Sequence, residues 1–593
     1  MEHTRNKRRH SLQKVQIKTG SVMCGIYGIT DNDPKFIEDY LEVCKHRGPD
    51  GSNIWTSDHV TLGHNLLSIM ADPNNSQQPW LTPKGNRLVY NGEIFNYNSL
   101  IEKYNNFKNT TGCDTELLAW GLDSYGVDFL DEIDSMHGFA YHDVKNQTIT
   151  LSRDHVGIKP LYYAKIDQGL VFASEIKGML DVVPDARMLD KLACSMLTKA
   201  GTNPLRNTLY TNIKKVLPGE TIVYDIKSKT LDYVKRIYIR PNADQDYSKK
   251  ELQEMFSKTV SQCAIGKRKI GVFLSGGIDS SIVAYELNQI QDTVHTFTNR
   301  FVPEVKADED YNSDSKVAKR FAVEQKFNHH DVVVGPTEYL SAWDDSIYYM
   351  EQPNYSPSNP MNCYTNRVLA DNGIVVTMAG DMGDELFGGY PKYSNLYHSE
   401  DKPRSWRQLL GLWMGRVKKG SFPITDQPLD DEILIDELEK CYSDQLWNPK
   451  DPTASYMALD CVTQVPEQFL LRNDAYGMAY GMEGRFPFAS KEFMQYCMNI
   501  KSAHKFKGNQ AKVLVKETYK KKLPDYLLYK VKTGWTTPIG YWLMDGVDTK
   551  LNDAFDKNIG KERLAQLKRS QKAGKGLIPQ WQVKNWKEKY QIK

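Results

Sequence analysis

Between Met23 and about Arg240 short apolar runs alternate with glycine, asparagine and charged residues. The runs Ile26-Tyr27-Gly28-Ile29, Leu88-Val89-Tyr90 ahead of Asn91-Gly92, Ile149-Thr150-Leu151, Leu161-Tyr162-Tyr163, Leu170-Val171-Phe172 and Thr221-Ile222-Val223-Tyr224 are short and bounded by turn residues. They predict a sheet-rich domain over 23–240. A polar stretch from Asn242 to Lys250 follows, and beyond it strands alternate with helices: Ile270 to Leu274, a helix from about Ser280, a further helical segment, then Ile374 to Ala379. That alternation predicts a parallel α/β sheet within a domain over 250–545. Residues 1–22 set Arg5, Lys7, Arg8, Arg9, Lys14 and Lys18 against the single acid Glu2 and have no periodicity that could build a core, so they read as a disordered basic leader. The Lys-rich, partly amphipathic stretch 546–593 reads as a solvated helix or flexible tail. No internal repeat is present.

Composition narrows the class. A chain of 593 residues has room for two or more domains. The 76 Lys and Arg nearly balance 74 Asp and Glu, so net charge gives no reason to expect nucleic acid or a membrane surface as partner. The basic leader and tail are read as solvated ends rather than nucleic-acid contacts. Nine scattered cysteines without a C-x-x-C pair point to reduced thiols in a cytoplasmic protein and away from a disulfide framework or structural zinc. No apolar stretch approaches the ~18 residues of a membrane span.

The apolar run Ile270-Gly271-Val272-Phe273-Leu274 leads into Ser275-Gly276-Gly277-Ile278-Asp279-Ser280-Ser281, after which Val283, Leu287 and Ile290 fall at helical spacing. Glycines let the backbone approach an anion, the exposed amides and the helix dipole favour negative charge, and serine hydroxyls add donors. The segment from Leu274 through Ser281 is therefore a candidate pyrophosphate site, and Asp279 beside a phosphate implies an intervening Mg2+. The same residues also fit a plain Gly-rich turn with Ser and Asp as helix cap. The segment is not the G-x-x-x-x-G-K-S/T loop and lacks its lysine. A second loop, Gly380-Asp381-Met382-Gly383-Asp384-Glu385-Leu386-Phe387-Gly388-Gly389-Tyr390, again puts carboxylates after an apolar strand, where open parallel sheets bind ligands.

The first strand opens Met23-Cys24-Gly25-Ile26. A lone cysteine there is more often a small buried hydrophobe than a nucleophile. Its company changes the reading: His46-Arg47-Gly48-Pro49-Asp50-Gly51, Asn91-Gly92-Glu93-Ile94-Phe95-Asn96, Gly112-Cys113-Asp114-Thr115-Glu116 and Arg153-Asp154-His155-Val156-Gly157-Ile158-Lys159-Pro160-Leu161-Tyr162 follow in order. With the two loops above, these motifs resemble the glutamine-dependent asparagine synthetase family over about residues 23–545.

The resemblance implies an N-terminal-nucleophile glutaminase of αββα layers, followed by an α/β ATP-pyrophosphatase domain. It implies that Cys24, made terminal by loss of Met23, attacks the glutamine amide with its own α-amine as base. Asn91 and the Gly92 amide would hold the oxyanion. Asp114 would pair with the glutamine α-ammonium, with Arg47, Glu93 and Ile69 around the same ligand. In the second domain ATP would adenylate the side-chain carboxylate of aspartate, and ammonia would displace AMP. Asp279 and Asp384 would bind Mg2+, Gly380 and Asp381 belong to the ATP loop, and Lys512 would stabilise the charge at phosphorus. The expected products are asparagine, AMP and pyrophosphate, with a tunnel between the sites and a tendency to homodimers. The segment Met482-Glu483-Gly484-Arg485-Phe486-Pro487-Phe488 is expected to serve structure and acceptor-site support, and Glu351-Gln352-Pro353-Asn354-Tyr355-Ser356-Pro357 lies where acceptor contacts are expected.

Three departures from the family pattern stand out. In Gly63-His64-Asn65-Leu66-Leu67-Ser68-Ile69, Leu66 replaces the arginine that clamps the glutamine α-carboxylate, a charge-assisted pair typically worth about 1.5–3 kcal/mol. The expectation is weakened glutamine use, a substitute anchor such as Arg47, or a different amide donor. Residues 1–22 would deny Cys24 a free amine, so a start at Met23, a cleaved leader or an added start is expected. Met382 replaces a glycine of the acidic loop. Other readings are the same fold acting on another carboxylate, an ammonia-dependent synthetase, and a regulatory protein with a dead glutaminase half. Cys24 argues against the β-lactam-forming branch, and the lack of paired cysteines against a tRNA-thiolating pyrophosphatase.

Overall fold

The computed structural model describes residues 24–48, 50–67, 69–70, 73–303, 310–353, 356–415, 424–508, 510–530, 537–543, 549–559 and 574–593. The expected leader, Met23, Pro49, Ser68, Asn354, Tyr355 and, of the expected tail, 546–548 and 560–573 lie outside them.

The first half builds two antiparallel sheets from β1 (Gly25–Ile29), β2 (Gly51–Thr56), β3 (Thr61–Leu66), β4 (Trp80–Leu81), β5 (Arg87–Ile94), β6 (Ser135–Asp143), β7 (Thr148–Arg153), β8 (Tyr162–Ile166), β9 (Gly169–Ala173), β10 (Lys214–Lys215), β11 (Glu220–Asp225) and β12 (Thr230–Arg236). Their orders are β10-β8-β9-β1-β3-β2 and β12-β11-β7-β6-β5-β4. The period of two sends alternate side chains to opposite faces. Ile26, Leu62 and Phe172 from one sheet meet Val89, Ala140, Leu151 and Ile222 from the other in a shared core. The outward residues Tyr27, Val171 and Ala173 pack under helices Pro34–Val43 and Lys191–Ala200. On the far side Leu88, Tyr90 and Phe139 pack under helices Tyr97–Lys103 and Asp114–Tyr125. These are the αββα layers expected.

One local expectation changes. Asn91-Gly92 lies inside β5, paired with Gly138 and His137, rather than at a turn beyond it. A Cβ on Gly92 would sit 2.2 Å from the Met136 carbonyl oxygen, so the glycine permits a close backbone approach within the sheet.

The second half forms one sheet from β13 (Ile270–Phe273), β14 (His295–Phe301), β15 (Asn328–Val334), β16 (Val376–Met378) and β17 (Glu483–Arg485). All neighbours are parallel, in the order β15-β14-β13-β16-β17. Winding reverses between β13 and β16, which opens a crevice at their carboxyl ends. Phe256, Val260, Ile282 and Phe321 cover one face with Val272 and Met378. Tyr339, Trp343 and Leu369 cover the other with Phe297 and Val332. Among the described residues no helix is long and apolar enough to cross a membrane.

Buried charge crosses the seam between the halves. Arg47 pairs with Asp474 at 2.9 Å, Arg485 with Glu93 at 2.8 Å, Lys177 with Glu351 at 3.2 Å, and Lys215 with Glu467 at 2.8 Å. Lys159 lies 3.4 Å from Asp474 and 3.8 Å from Glu483. Asp134 accepts from Ser490 Oγ and the Lys491 amide. Such pairs need not add net stability, but removing one partner leaves a buried charge uncompensated, typically at about 3–5 kcal/mol. They therefore penalise every other docking of the two domains.

The expected solvated tail is corrected at its far end. Helix Gly574–Tyr590 buries Ile578, Trp581, Gln582, Trp586 and Tyr590. These positions recur at helical spacing, an apolar stripe that the surrounding lysines hide in composition. Trp581 stacks on Trp343 with ring centroids 3.7 Å apart, and Trp586 Nε1 donates to the Glu351 carbonyl and to Tyr210 Oη, both at 2.8 Å. The helix thereby clasps the helix Trp343–Met350 and touches the first domain. Truncating Trp586 to alanine is expected to cost about 3–5 kcal/mol, as buried Trp-to-Ala changes typically do. Calorimetry would show a clearly lowered unfolding midpoint, whereas an unchanged midpoint would mean that the helix is solvated.

Candidate functional site

Two sites emerge, one in each domain. The first is a cleft with a cavity volume of about 30 Å³, where β1, β3 and β5 meet helix Asp114–Tyr125. Its walls include Cys24, Leu66, Leu67, Ile69, Met70, Ser76, Gln78, Tyr90, Asn91, Gly92, Glu93, Cys113, Asp114, Thr115 and, from the second domain, Glu483. The structure thus brings together Cys24, Ile69, Asn91, Gly92, Glu93 and Asp114.

Cys24 Sγ lies 3.3 Å from the Leu67 amide and 3.5 Å from its carbonyl oxygen. Burial pushes the thiol up to about 12, so Cys24 is held as the thiol and would need a base to act as a nucleophile. Asn91 Nδ2 is buried and has no hydrogen-bond partner among the described residues. A donor left unpaired at such cost, beside a thiol, suits an anion that forms only during reaction. Asp114 accepts from Tyr90 Oη and the Ile94 amide, both at 3.1 Å, and its carboxyl is pushed up to about 6 by burial, with Glu483 adding to the rise. It has no ion-pair partner among the described residues. Glu93 Oε2 accepts from Arg485 at 2.8 Å, and burial together with Asp114 holds its carboxyl well above the usual range.

Arg47 is corrected as a candidate anchor. It does not line the cleft. Its guanidinium runs behind Cys24, donating from Nε to the Cys24 carbonyl at 3.3 Å, from Nη1 to Glu175 at 2.9 Å and from Nη2 to Asp474 at 2.9 Å. Burial alone would raise the Glu175 carboxyl, yet His46, Lys177 and Arg47 hold it well below the usual range. Leu66, by contrast, is on the cleft wall. The segment around Glu483 and Arg485, expected to serve structure and acceptor-site support, brings both side chains to this cleft and its rear wall. Their spacing on a three-residue strand puts both on one face, a signal present in the sequence but meaningless without the partner domain.

The second site lies at the reversal of the parallel sheet. Leu274 ends the run from β13, its amide donating to the Phe297 carbonyl at 2.9 Å. Gly276 takes φ +74°, and a Cβ there would lie 2.3 Å from the Asp314 carbonyl oxygen. Ser280 Oγ accepts from the Ser275 amide at 3.1 Å and lies 2.9 Å from Ser275 Oγ, while Ser281 Oγ donates to the Gly277 carbonyl at 2.8 Å. Asp279 falls in the first turn of helix Ile278–Leu287. From the β16 loop, Gly380 and Gly383 approach so closely that a Cβ on either would meet Asp279 within 2.9 Å. These glycines allow the two loops to interlock.

Lys512 stands between them, 2.5 Å from Asp279 and 2.6 Å from Asp384. It is not a surface helix lysine: it precedes helix Val513–Tyr519 with φ +58° and is 7% exposed. Burial works against its charge, but the two carboxylates hold the ammonium above its usual range. Asp381 accepts from Asn473 at 3.2 Å, and burial raises its carboxyl. Met382 adopts φ +77°, a left-handed conformation that a side chain tolerates poorly and glycine readily. Asp279 and Asp384, gathered about one cation, match the hard-oxygen chemistry of Mg2+, which takes one or two carboxylates and completes its shell with phosphate and water. Glu351 is oriented differently from an acceptor-contacting residue: its carboxylate accepts from the Ile176 and Lys177 amides of the first domain at 2.8 and 2.7 Å.

Comparison with known proteins accords with this geometry. A model of the asparagine synthase family matches residues 251–589, past the expected boundary at 545, and a glutamine amidotransferase domain model matches 23–238. Asparagine synthetase [glutamine-hydrolyzing] 1 of Bacillus subtilis is 26% identical over 595 residues, covering 92% of each chain. Asparagine synthetase [glutamine-hydrolyzing] 3 of the same organism is 23% identical, covering 92% of this chain and 93% of that protein. Asparagine synthetase B [glutamine-hydrolyzing] of Escherichia coli is 25% identical, covering 88% of this chain and 84% of that protein.

Two outcomes follow from the geometry. A ligand offering an ammonium group to Asp114 should bind well above about pH 6 and progressively lose affinity below it, as the raised carboxyl takes up a proton. Titration calorimetry across pH would show this, and Asp114→Asn should flatten the profile. At the other site a Cβ on Gly389 would lie 1.9 Å from Asp384 Oδ1 and 2.3 Å from Lys512 Cε. Gly389→Ala should weaken ATP binding in the presence of Mg2+ by about tenfold or more, roughly the cost of one lost charge-assisted contact.

Proposed function

We propose that this chain, which belongs to the asparagine synthase family and carries a glutamine amidotransferase domain ahead of the synthase domain, makes asparagine from aspartate, ATP and ammonia released from an amide donor. The observation that carries the reading is the pairing of a thiol cleft and a carboxylate-lysine crevice across one buried ionic seam. Cys24 supplies the nucleophile, and its raised thiol calls for a base at the moment of attack, a role that an α-amine on Cys24 itself fills when the residue is terminal. Asn91 Nδ2 and the Gly92 amide are the donors for the oxyanion, and Asp114 receives the donor's ammonium group.

In the crevice the loop from Ser275 to Ser281, at the start of helix Ile278–Leu287, receives the pyrophosphate of ATP. Mg2+ bound to Asp279 and Asp384 would neutralise charge on the phosphates. Lys512, already held charged between these residues, is placed to meet the negative charge that develops as the aspartate carboxylate attacks the α-phosphorus. AMP is then the leaving group that a bare carboxylate lacks, and ammonia displaces it. Asp381, tied to Asn473 beside Asp474, links this loop to the helix that carries the Arg47 contact.

Release of AMP and pyrophosphate from ATP, Mg2+ and ammonium tests the reading, with and without aspartate. Aspartate-dependent release accompanied by asparagine is expected. Release that ignores aspartate would transfer the assignment to another carboxylate acceptor. Cys24→Ala is expected to abolish use of an amide donor and to leave ammonium-supported AMP formation within about twofold. Loss of both activities in a folded variant would contradict the division of labour between the sites.

A further inference from the structure

The thiol cleft is charged on one side only. Asp114, Glu93 and Glu483 bring carboxylates to it, while Leu66, Leu67, Ile69 and Met70 form an apolar wall. Among the described lining residues none is basic. The cations nearby are engaged behind the wall. Arg485 spans Glu93 and Glu483 and donates to the Cys263 and Ile265 carbonyls. Lys159 lies between Asp474 and Glu483, and Arg47 is held by Glu175, Asp474 and the Cys24 carbonyl. Asp114 alone of the three carboxylates has no ion-pair partner among the described residues, so the cleft attracts an ammonium group. A carboxylate entering with it would lose water against leucine, isoleucine and methionine, would face like charge, and would find no cation.

We propose that the preferred amide donor is a glutamine derivative whose α-amine is free and whose α-carboxyl is neutral, as an ester or as the first peptide bond of an N-terminal glutamine, and that Leu66 sets this preference. The inference rests on the glutaminase reading of Cys24. The chemistry balances as in any thiol-dependent amide hydrolysis. Cys24 Sγ bonds to the carboxamide carbon, the C–N bond breaks, and ammonia leaves with the proton of the thiol. Water then cleaves the thioester to give the γ-carboxylic acid and restores the thiol. The α-substituent takes no part, so its charge is selected only by the wall it meets.

The test compares kcat/KM for ammonia release from L-glutamine, L-glutamine methyl ester and L-glutaminyl-glycine, each corrected for spontaneous release with Cys24→Ala. The wild type is expected to favour at least one neutral derivative over glutamine by about 10- to 100-fold, the size of one charge-assisted pair. Preference for the dipeptide would identify peptide N-termini as the source, and preference for the ester alone a small molecule. Leu66→Arg is expected to invert the ranking by supplying the missing cation. Glutamine as the best wild-type donor would overturn the inference while leaving the glutaminase reading intact. Absence of ammonia release from all three, in protein that still forms AMP with ammonium, would overturn the glutaminase reading and the inference with it. The wild-type comparison stands whether or not the arginine variant folds.

Discussion

A guanidinium removed from water must find anions for its charge and acceptors for its N–H groups, and Arg47 finds them on both sides of a domain boundary. Glu175 comes from its own domain and Asp474 from the other, while the Cys24 carbonyl takes the remaining contact. Lys159 shares Asp474, and Lys177 shares Glu175 before reaching Glu351. Each of these groups would be costly if left alone, so the set is satisfied together or not at all. Apolar surfaces tolerate sliding, but a fixed array of buried charges does not. The seam therefore specifies one relative placement of the cleft and the crevice, and Asn473, adjacent to Asp474, carries that placement to the Asp381 loop.

The two sites use charge in opposite ways. In the crevice one lysine lies between two carboxylates, which leaves a negative charge of the kind a metal ion would balance. Glycines at 276, 380, 383 and 389 are needed because the loops approach within distances that no Cβ permits. In the cleft the carboxylates are partly compensated from behind by Arg485, and one donor, Asn91 Nδ2, has no partner among the described residues. The first arrangement accommodates ground-state charge. The second leaves a donor of the kind that would suit charge forming during a reaction.

Much of this was legible in the chain. Alternating apolar runs marked both sheets, and the small-residue turns after Leu274 and Ala379 marked the reversal in the parallel sheet, because those signals are local. Arg47, Lys159, Glu483 and Arg485 lay inside motifs that had been noticed, yet their roles were opaque. An ion pair between positions 47 and 474 is a fact about docking, with no trace in the spacing of either segment. Asn91-Gly92 misled for a related reason: a dipeptide that usually turns the chain is used here inside β5 for close packing and for an unpaired donor. The helix Gly574–Tyr590 misled through composition, since its lysines outnumber the aromatic residues that anchor it.

That helix has a consequence for how the molecule is made. Its partner across Trp343 lies 242 residues earlier in the chain, as measured by the bond from Trp343 Nε1 to Asn585 Oδ1. Contacts so distant form late, after nearer segments have closed. During synthesis the face of helix Trp343–Met350 is therefore a large aromatic surface without its cover for as long as the intervening chain takes to emerge. The same contact that seals the finished protein leaves the nascent one adhesive until the last helix arrives.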